Sequence, residues 1–432
     1  MNTTIRIMQA PSEPMPELAA FLDPFRVHFA RSEGPHALER YLTGLLTELP
    51  NKNCDTIAQN VPGTSEQRLQ GLLTAMAWDD LNRQRVEQML ELPSAGDGVL
   101  IFDDTGFAKQ GKGSVGVARQ YSGTLGKVGN CQVTVNAHYA ERTCAWPITT
   151  RLYLPAEWAR DPARRKTAKV PEAIAFQTKP AIALDLLDRA KAWGVRWSCV
   201  TCDADYGDNP NFLEGLEKRR ERYVVAVRCD FAVTLSRRGG EAQRADALIG
   251  AQPPRSWRTV AWREGSQGWL RGRFAALRAW RVTSSGRRKA GWLIGEQTAD
   301  GQLKYYWSNF GPRVPLDRLV ESAHRRHWVE QYHQEAKGLL GWDQYQGRLW
   351  PGFHRHAVTV MLAYSFLVWR EWHQRQQRTR PGRRRRARSP RPDRRRVSLP
   401  EVHRQICDWL RLQAAKELLW REFMTVPERI PA

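Results

Sequence analysis

IFDDTGFAKQG, residues 101–111, joins an apolar run to two adjacent carboxylates, Asp103 and Asp104. Neighbouring acids repel each other, and shielding them from water makes each harder to ionise. The run 99–102 predicts a buried strand that stops at the acids, so something cationic is expected where it stops. Working outward, CQVTVNAHY alternates within a second predicted strand at 128–139, and 148–154 predicts a third. Three consecutive strands predict a meander. A helix is expected at 171–193, a strand at 197–202, a helix at 210–220 and a strand at 223–227, giving the order βββαβαβ.

Upstream, residues 18–92 lack β-branched runs and space their apolar residues helically, as in ALERYLTGLLTEL (37–49). Within 54–81 a short helix, a Pro62-Gly63 break and a second helix follow, with Thr64 and Gln67 in capping-box spacing. This is helix-turn-helix shape, in which the second helix offers Gln67, Arg68 and Gln70 to a DNA groove; an ordinary helical hairpin would look the same. Downstream, 229–310 carries short Trp- and Arg-rich strands (SWRTVAW, RGRFAALRAWRV, AGWLIGE, LKYYWSN), read as an inserted β unit whose tryptophans mostly supply its core. Helices return at 315–340, 356–373 and 399–423.

The 432 residues, 41% of them hydrophobic, suffice for two or three cored domains. Lys and Arg number 67 against 45 acids, for a formal charge of +22, which predicts a polyanionic partner. Half of that excess lies in 375–396, where twelve arginines stand against one aspartate. Such a stretch has too little apolar surface to offset its ordering entropy and reads as a linker. Seven scattered cysteines argue against a disulfide framework, and Cys199-Val-Thr-Cys202, lacking a second metal-type pair, reads as two small residues in a buried strand. The most apolar run, 357–369, is shorter than the ~20 residues that span a bilayer, and the first residues lack a basic-then-apolar signal, so a cytoplasmic protein is expected.

Acids recur at three places: after the first strand (IFDDTG), after the fourth (VTCDADYGD) and in a late helix (HRRHWVEQYHQEAK). Carboxylates delivered by strand ends and a helix can converge into a pocket of oxygen ligands suited to Mg²⁺ or Mn²⁺. Two such ions about 3.5 to 4 Å apart can serve phosphodiester chemistry.

IFDDTGFAKQGKGSVGVARQYSGTLGKVGNCQ, CDADYGDNPNFL and WVEQYHQEAKGLLGWDQYQGR together resemble bacterial insertion-sequence transposases of the DDE class, in order over roughly 30–370. The resemblance implies an α/β fold: a ribonuclease-H-like mixed sheet flanked by helices, with an inserted β subdomain and an N-terminal helical domain. It makes Asp104, which precedes Thr, the first catalytic acid; Asp203, opening D-x-x-x-G, the second; and Glu330, in R-x-x-x-E-x-x-x-x-x-x-K with Arg326 and Lys337, the third. These three acids would hold two Mg²⁺ ions, with Mn²⁺ able to substitute. Arg326, Lys337, His333 and Arg68 would meet DNA, and one tryptophan of the insertion would stack on a flipped base. The implied partners are double-stranded DNA, both element ends and target, and a second copy of the chain on that DNA.

One departure is Ala323, where the family pattern has Tyr. By alternation Asp103 and Asp104 face opposite ways, so Asp103 is the rival ligand and only the following Thr105 favours Asp104. Asp205 and Asp208 read as turn and cap residues, and His354 and His356, not spaced as a helical zinc pair, as surface or DNA-facing. The expected division is 1–92 helical and DNA-binding, 93–228 first part of the core, 229–311 β insertion, 312–373 Glu-bearing and following helices, 374–397 linker and 398–432 C-terminal helix. The rival functions are a Mg²⁺-dependent nuclease without strand transfer and a non-catalytic DNA-binding regulator derived from a transposase.

Overall fold

The structure is a computed structural model that describes residues 8–123, 126–265, 268–379 and 397–425. Five helices lead: α1 (Pro16–Leu22), α2 (Glu33–Leu45), α3 (Cys54–Asn60), α4 (Glu66–Ala75) and α5 (Trp78–Leu90). Then come β1 (Val99–Ala108), β2 (Ala118–Ser122), β3 (Lys127–Ala140), β4 (Ala145–Leu152), α6 (Ala156–Ala159), α7 (Pro162–Thr167), α8 (Lys179–Ala192), β5 (Cys199–Cys202), α9 (Ala204–Gly207), α10 (Pro210–Lys218) and β6 (Val224–Val227). β1 runs antiparallel to β3, which also pairs antiparallel with β4, and parallel to β5; Tyr223, entering β6, bridges Val200 in parallel. The spatial order β4-β3-β1-β5-β6, three antiparallel strands followed by two parallel ones, is ribonuclease-H-like. The short β2, absent from the sequence reading, pairs with β3 on the edge that β4 also uses.

Strand alternation feeds two cores. Leu100 and Phe102 enter the larger cluster, where Phe102 meets Phe212 of α10 edge-on, while Val99 and Ile101 enter a second cluster. That second cluster includes Leu319 and Val320 of α12 (Leu316–His324) and Val329 of α13 (His327–Leu340). Both faces of β1 are therefore covered, which is why its first four residues are all apolar.

The expected end of β1 at residue 102 is wrong in an informative way. Its antiparallel ladder continues to Ala108↔Cys131, because β3 is long enough to pair with all ten of its residues. Only the parallel ladder stops, at Phe102↔Cys202. One edge of β1 thus opens at the two aspartates while the other stays hydrogen-bonded.

The Trp- and Arg-rich strands form a sheet that continues from the core. Between β7 (Ala232–Val233), β8 (Gln243–Arg244), α11 (Ala245–Gly250) and the larger strands β9 (Arg258–Gly265), β10 (Gly268–Val282), β11 (Arg288–Gln297) and β12 (Leu303–Ser308), the order is β6-β12-β11-β10-β9. β6 belongs to this second sheet through β12 and touches the first through Tyr223. α12 packs on β9, and Trp262 stacks on His324 at 3.8 Å.

The apolar stretch at 357–369 lies inside α14 (Trp350–Thr379), against which α2, α4, α5, α13 and α15 (Leu399–Thr425) pack. A helix surrounded on all sides is apolar on all sides. This overturns the surface reading of His354 and His356, both buried in that helix. His354 Nε2 accepts from the Leu152 N–H at 3.3 Å, and His356 Nδ1 lies 3.0 Å from the Tyr41 hydroxyl. Burial pushes both imidazoles down to about 4. The stretch 380–396 of the expected linker lies outside the described residues, whereas Arg375 still belongs to α14 and donates to the Thr143 carbonyl. The helix expected from 171 begins only at Lys179, after the cap Thr178. At the N-terminal pair, Ser65 rather than Thr64 caps α4, accepting from the Arg68 N–H, and Gly63 turns the chain with φ +79°. Gln67, Arg68 and Gln70 are exposed, and Arg68 Nη1 donates to the Gly63 carbonyl. No helix among the described residues is long and apolar enough to cross a membrane.

Candidate active site

The open edge of β1 is where the acids meet. Asp203 follows β5 directly and caps α9, its Oδ1 accepting from the Asp205 N–H at 3.0 Å and the Tyr206 N–H at 3.4 Å. The glycine of D-x-x-x-G has a steric reason: a Cβ on Gly207 would stand 1.9 Å from the Ala226 carbonyl oxygen, so only glycine lets α9 lie this close to β6. In the β1/β5 register the position after Phe102↔Cys202 sets Asp103 beside Asp203. One carboxylate oxygen from each of Asp103, Asp104 and Asp203 lies within 4.8 Å of the other two.

The two strand acids have different neighbours. Asp103, 7% exposed, faces α13, with Arg326 Nη1 at 3.5 Å and His333 Nδ1 at 3.9 Å. Asp104 turns to the opposite face and forms an ion pair with Lys179, the first residue of α8. Glu330 stands in the first turn of α13, not mid-helix, because α12 and α13 are separate and Arg326 occupies the N-cap. Its carboxylate is about half exposed (54%) and ion-pairs with Arg326, which thereby bridges Glu330 and Asp103. Glu330 thus lies one guanidinium away from the three-aspartate group, outside it.

Burial pushes the Asp103 carboxyl well above the usual range; Arg326 opposes this, and the charges of Asp203, Asp104 and Glu330 add to it. Burial likewise raises Asp203 to about 6, against Arg326 and with the help of Asp104. The donor set is all oxygen, and crowding of like charge helps raise Asp103 and Asp203, which is the environment a hard divalent cation relieves.

His333 is buried between Asp103 and Trp342, and burial pushes its imidazole down to about 3. Lys337 reaches β1, its Nζ donating to Thr105 Oγ1 at 2.7 Å and the Gly106 carbonyl at 2.8 Å. Asp205 and Asp208 bind Arg228, as turn and cap acids do. Ala323 is buried against the second core. Of the insertion tryptophans, Trp269 is the exposed one (62%), on β10 after the β9–β10 turn; Trp292 donates to the Gly311 carbonyl and Trp257 lies 5.8 Å below Arg273. Sequence reasoning missed Lys179, whose only local signal is its place after a capping Thr.

Residues 24–271, more than half of the chain and including all three aspartates, match the family model of the DDE superfamily endonucleases. The chain belongs to this family. It is therefore an enzyme of the nuclease and transposase class. It is similar to the "Probable transposase for insertion sequence element IS701" of Microchaete diplosiphon, 26% identical over 318 residues that cover 72% of this chain and 77% of that one. Among solved structures it is similar to the piggyBac transposase synaptic complex with hairpin DNA (TM-score 0.42, 12% identity, 96% of this chain and 83% of that one). The NurA nuclease of Sulfolobus solfataricus also matches (TM-score 0.27, 8% identity, 56% and 79%).

Proposed function

We propose that this DDE-family enzyme is an insertion-sequence transposase that cuts double-stranded DNA at element ends and joins the freed ends to a target. The observation that carries the reading is the group of Asp103, Asp104 and Asp203 at the open edge of β1, linked through Arg326 to Glu330. Asp104, Asp203 and Glu330 are the catalytic acids in this reading. Asp103 keeps Arg326 close and adds negative charge.

Asp104, Asp203 and Glu330 would hold Mg²⁺, two ions in the full reading, with Mn²⁺ as substitute. Bound there, these ions would activate water or a 3′-hydroxyl and stabilise the leaving oxygen. Asp203 keeps its carboxylate aimed by capping α9, and Lys179 and Arg326 neutralise the acids until substrate and cations arrive. Arg326, 29% exposed on its side chain, is then the residue best placed to turn to a phosphate. In cleavage, water oxygen bonds to phosphorus as the bond to the 3′-oxygen breaks, releasing a 3′-hydroxyl. In joining, that hydroxyl bonds to a target phosphorus as the target's own 3′-oxygen leaves, with no covalent enzyme intermediate. Residues 1–92 are assigned to recognising the ends, with Arg68 exposed on α4, and the working form is a homodimer on DNA.

The test is incubation of the protein with a labelled element end, a target plasmid and Mg²⁺. Covalent joints are expected. Cleavage without joints would leave a nuclease, and duplex binding with neither cleavage nor joints, with Glu330→Ala leaving affinity and biological activity intact, would leave a DNA-binding regulator.

A further inference from the structure

At the opposite end of the strands from the acids, three segments place arginines around one aromatic ring. Arg222 precedes β6, Phe310 and Arg313 lie between β12 and α12, and Arg318 is in the first turn of α12. Together with Val314 and Pro315 they line an open pocket of about 550 Å³. The guanidinium carbons of Arg222 and Arg318 stand 5.5 and 5.7 Å from the centroid of Phe310, so a single phenyl ring holds both. The loop between them is fixed from behind: Arg278 Nη1 donates to the Phe310 carbonyl at 3.0 Å and Trp292 Nε1 to the Gly311 carbonyl at 3.1 Å.

None of Arg222, Arg313 and Arg318 is in an ion pair among the described residues, including with Asp317 in the same turn. α12 starts at this pocket with Pro315 as N-cap and no side-chain cap, so its first N–H groups and its positive end also face it. Cations gathered without acids, on a rigid platform at a helix start, are arranged as for a phosphate.

We propose that this pocket is a second DNA-contact site, taking backbone phosphates of a DNA segment away from the acids. The proposal rests on the reading that the enzyme acts on DNA. The Arg222 carbonyl accepts from the Val200 N–H, three residues before Asp203 on β5, so the pocket begins about 10 Å along the strand from the acid group and points away from it. The ligand is a phosphodiester run, and contacts to its phosphates fix position without carrying sequence information directly.

The test measures binding of the full-length protein to a labelled duplex by fluorescence anisotropy across a KCl series. Wild type is compared with the R222Q/R313Q/R318Q triple variant and with R313Q alone. Each lost phosphate contact reduces the slope of log affinity against log salt by about 0.9. The triple variant is expected to lose about 2 to 3 from that slope and roughly tenfold or more in affinity at 150 mM salt, and R313Q about 1. The exposed R313Q change keeps the measurement available if the triple variant does not fold. Metal-dependent cleavage at saturating DNA should persist in R313Q. An unchanged slope in a folded variant overturns the second site and leaves the transposase reading standing. A wild-type protein that binds no duplex overturns both.

Discussion

The two ends of β5 make opposite electrostatic choices. At its C-terminal end three aspartates crowd within 4.8 Å, each with cations close by: Lys179 on Asp104 and Arg326 between Asp103 and Glu330. Near its N-terminal end three arginines share a pocket with no ion-paired acid among the described residues. The acid end is the more enclosed, with Asp103 buried and Asp104 and Asp203 partly so, and its charges are answered by cations of the protein. The arginine end is exposed, where water screens repulsion and like charges cost little. Burial, as well as charge, separates the two ends.

The largest effect that would break this contrast is at Asp203. Asp203→Asn is expected to lower metal-dependent DNA cleavage by more than about 100-fold, beyond what loss of a supporting residue costs, with duplex binding within a few fold of wild type. Retained cleavage would remove Asp203 from the chemistry. Gly207→Ala comes next. The added methyl meets the Ala226 carbonyl, so α9 must shift and carry the Asp203 cap with it; a loss of about 1–3 kcal/mol in urea unfolding and a clear fall in cleavage are expected.

Acidity gives a subtler handle. Asp203 is raised to about 6 in the fold against 3.8 ordinarily, and Asp103 is raised as well, so the folded state binds more protons than the unfolded chain between those values. These two carboxyls therefore add stability as pH falls from about 7 to about 4, whereas the buried imidazoles of His333, His354 and His356 lose it over the same window, so the sign is read against Asp203→Asn: the metal-free wild type should gain on that variant as pH falls. Thermal midpoints read across that range with chelator, and again with added Mn²⁺ at pH 7, check the sign; the cation should raise the midpoint at neutral pH. The smallest effect belongs to the other end. Phe310→Leu keeps the arginines but removes the ring that holds two of them, and is expected to weaken duplex binding only a few fold while costing about 1 kcal/mol of stability.

Much of this was legible from local pattern. The alternation around 128–139, the apolar run before Asp103 and the strand before Asp203 are short-range signals, and they predicted the βββαβαβ order that the structure contains. What was not legible depends on partners distant in sequence. The length of β1 is decided by β3, which pairs beyond the acids, and no residue within 101–111 records that. His354 and His356 look polar in isolation and are interior because β4 and five helices pack around α14. His333, expected among the DNA-facing residues, has its ring buried against Trp342, and that burial pushes the imidazole down to about 3. The separation of α12 from α13, which sets Arg326 at a helix start, shows no breaker such as Gly or Pro in HRRHW. The pairing of Lys179 with Asp104 spans 75 positions, and only folding brings those two together.

β5 itself is four residues long. Its second residue hydrogen-bonds the carbonyl of Arg222, and the residue just beyond its last is Asp203. The arginine pocket and the aspartate group are therefore joined by one short run of strand, and in the proposed reading a pull on a phosphate held beside Arg222 would be felt at Asp203.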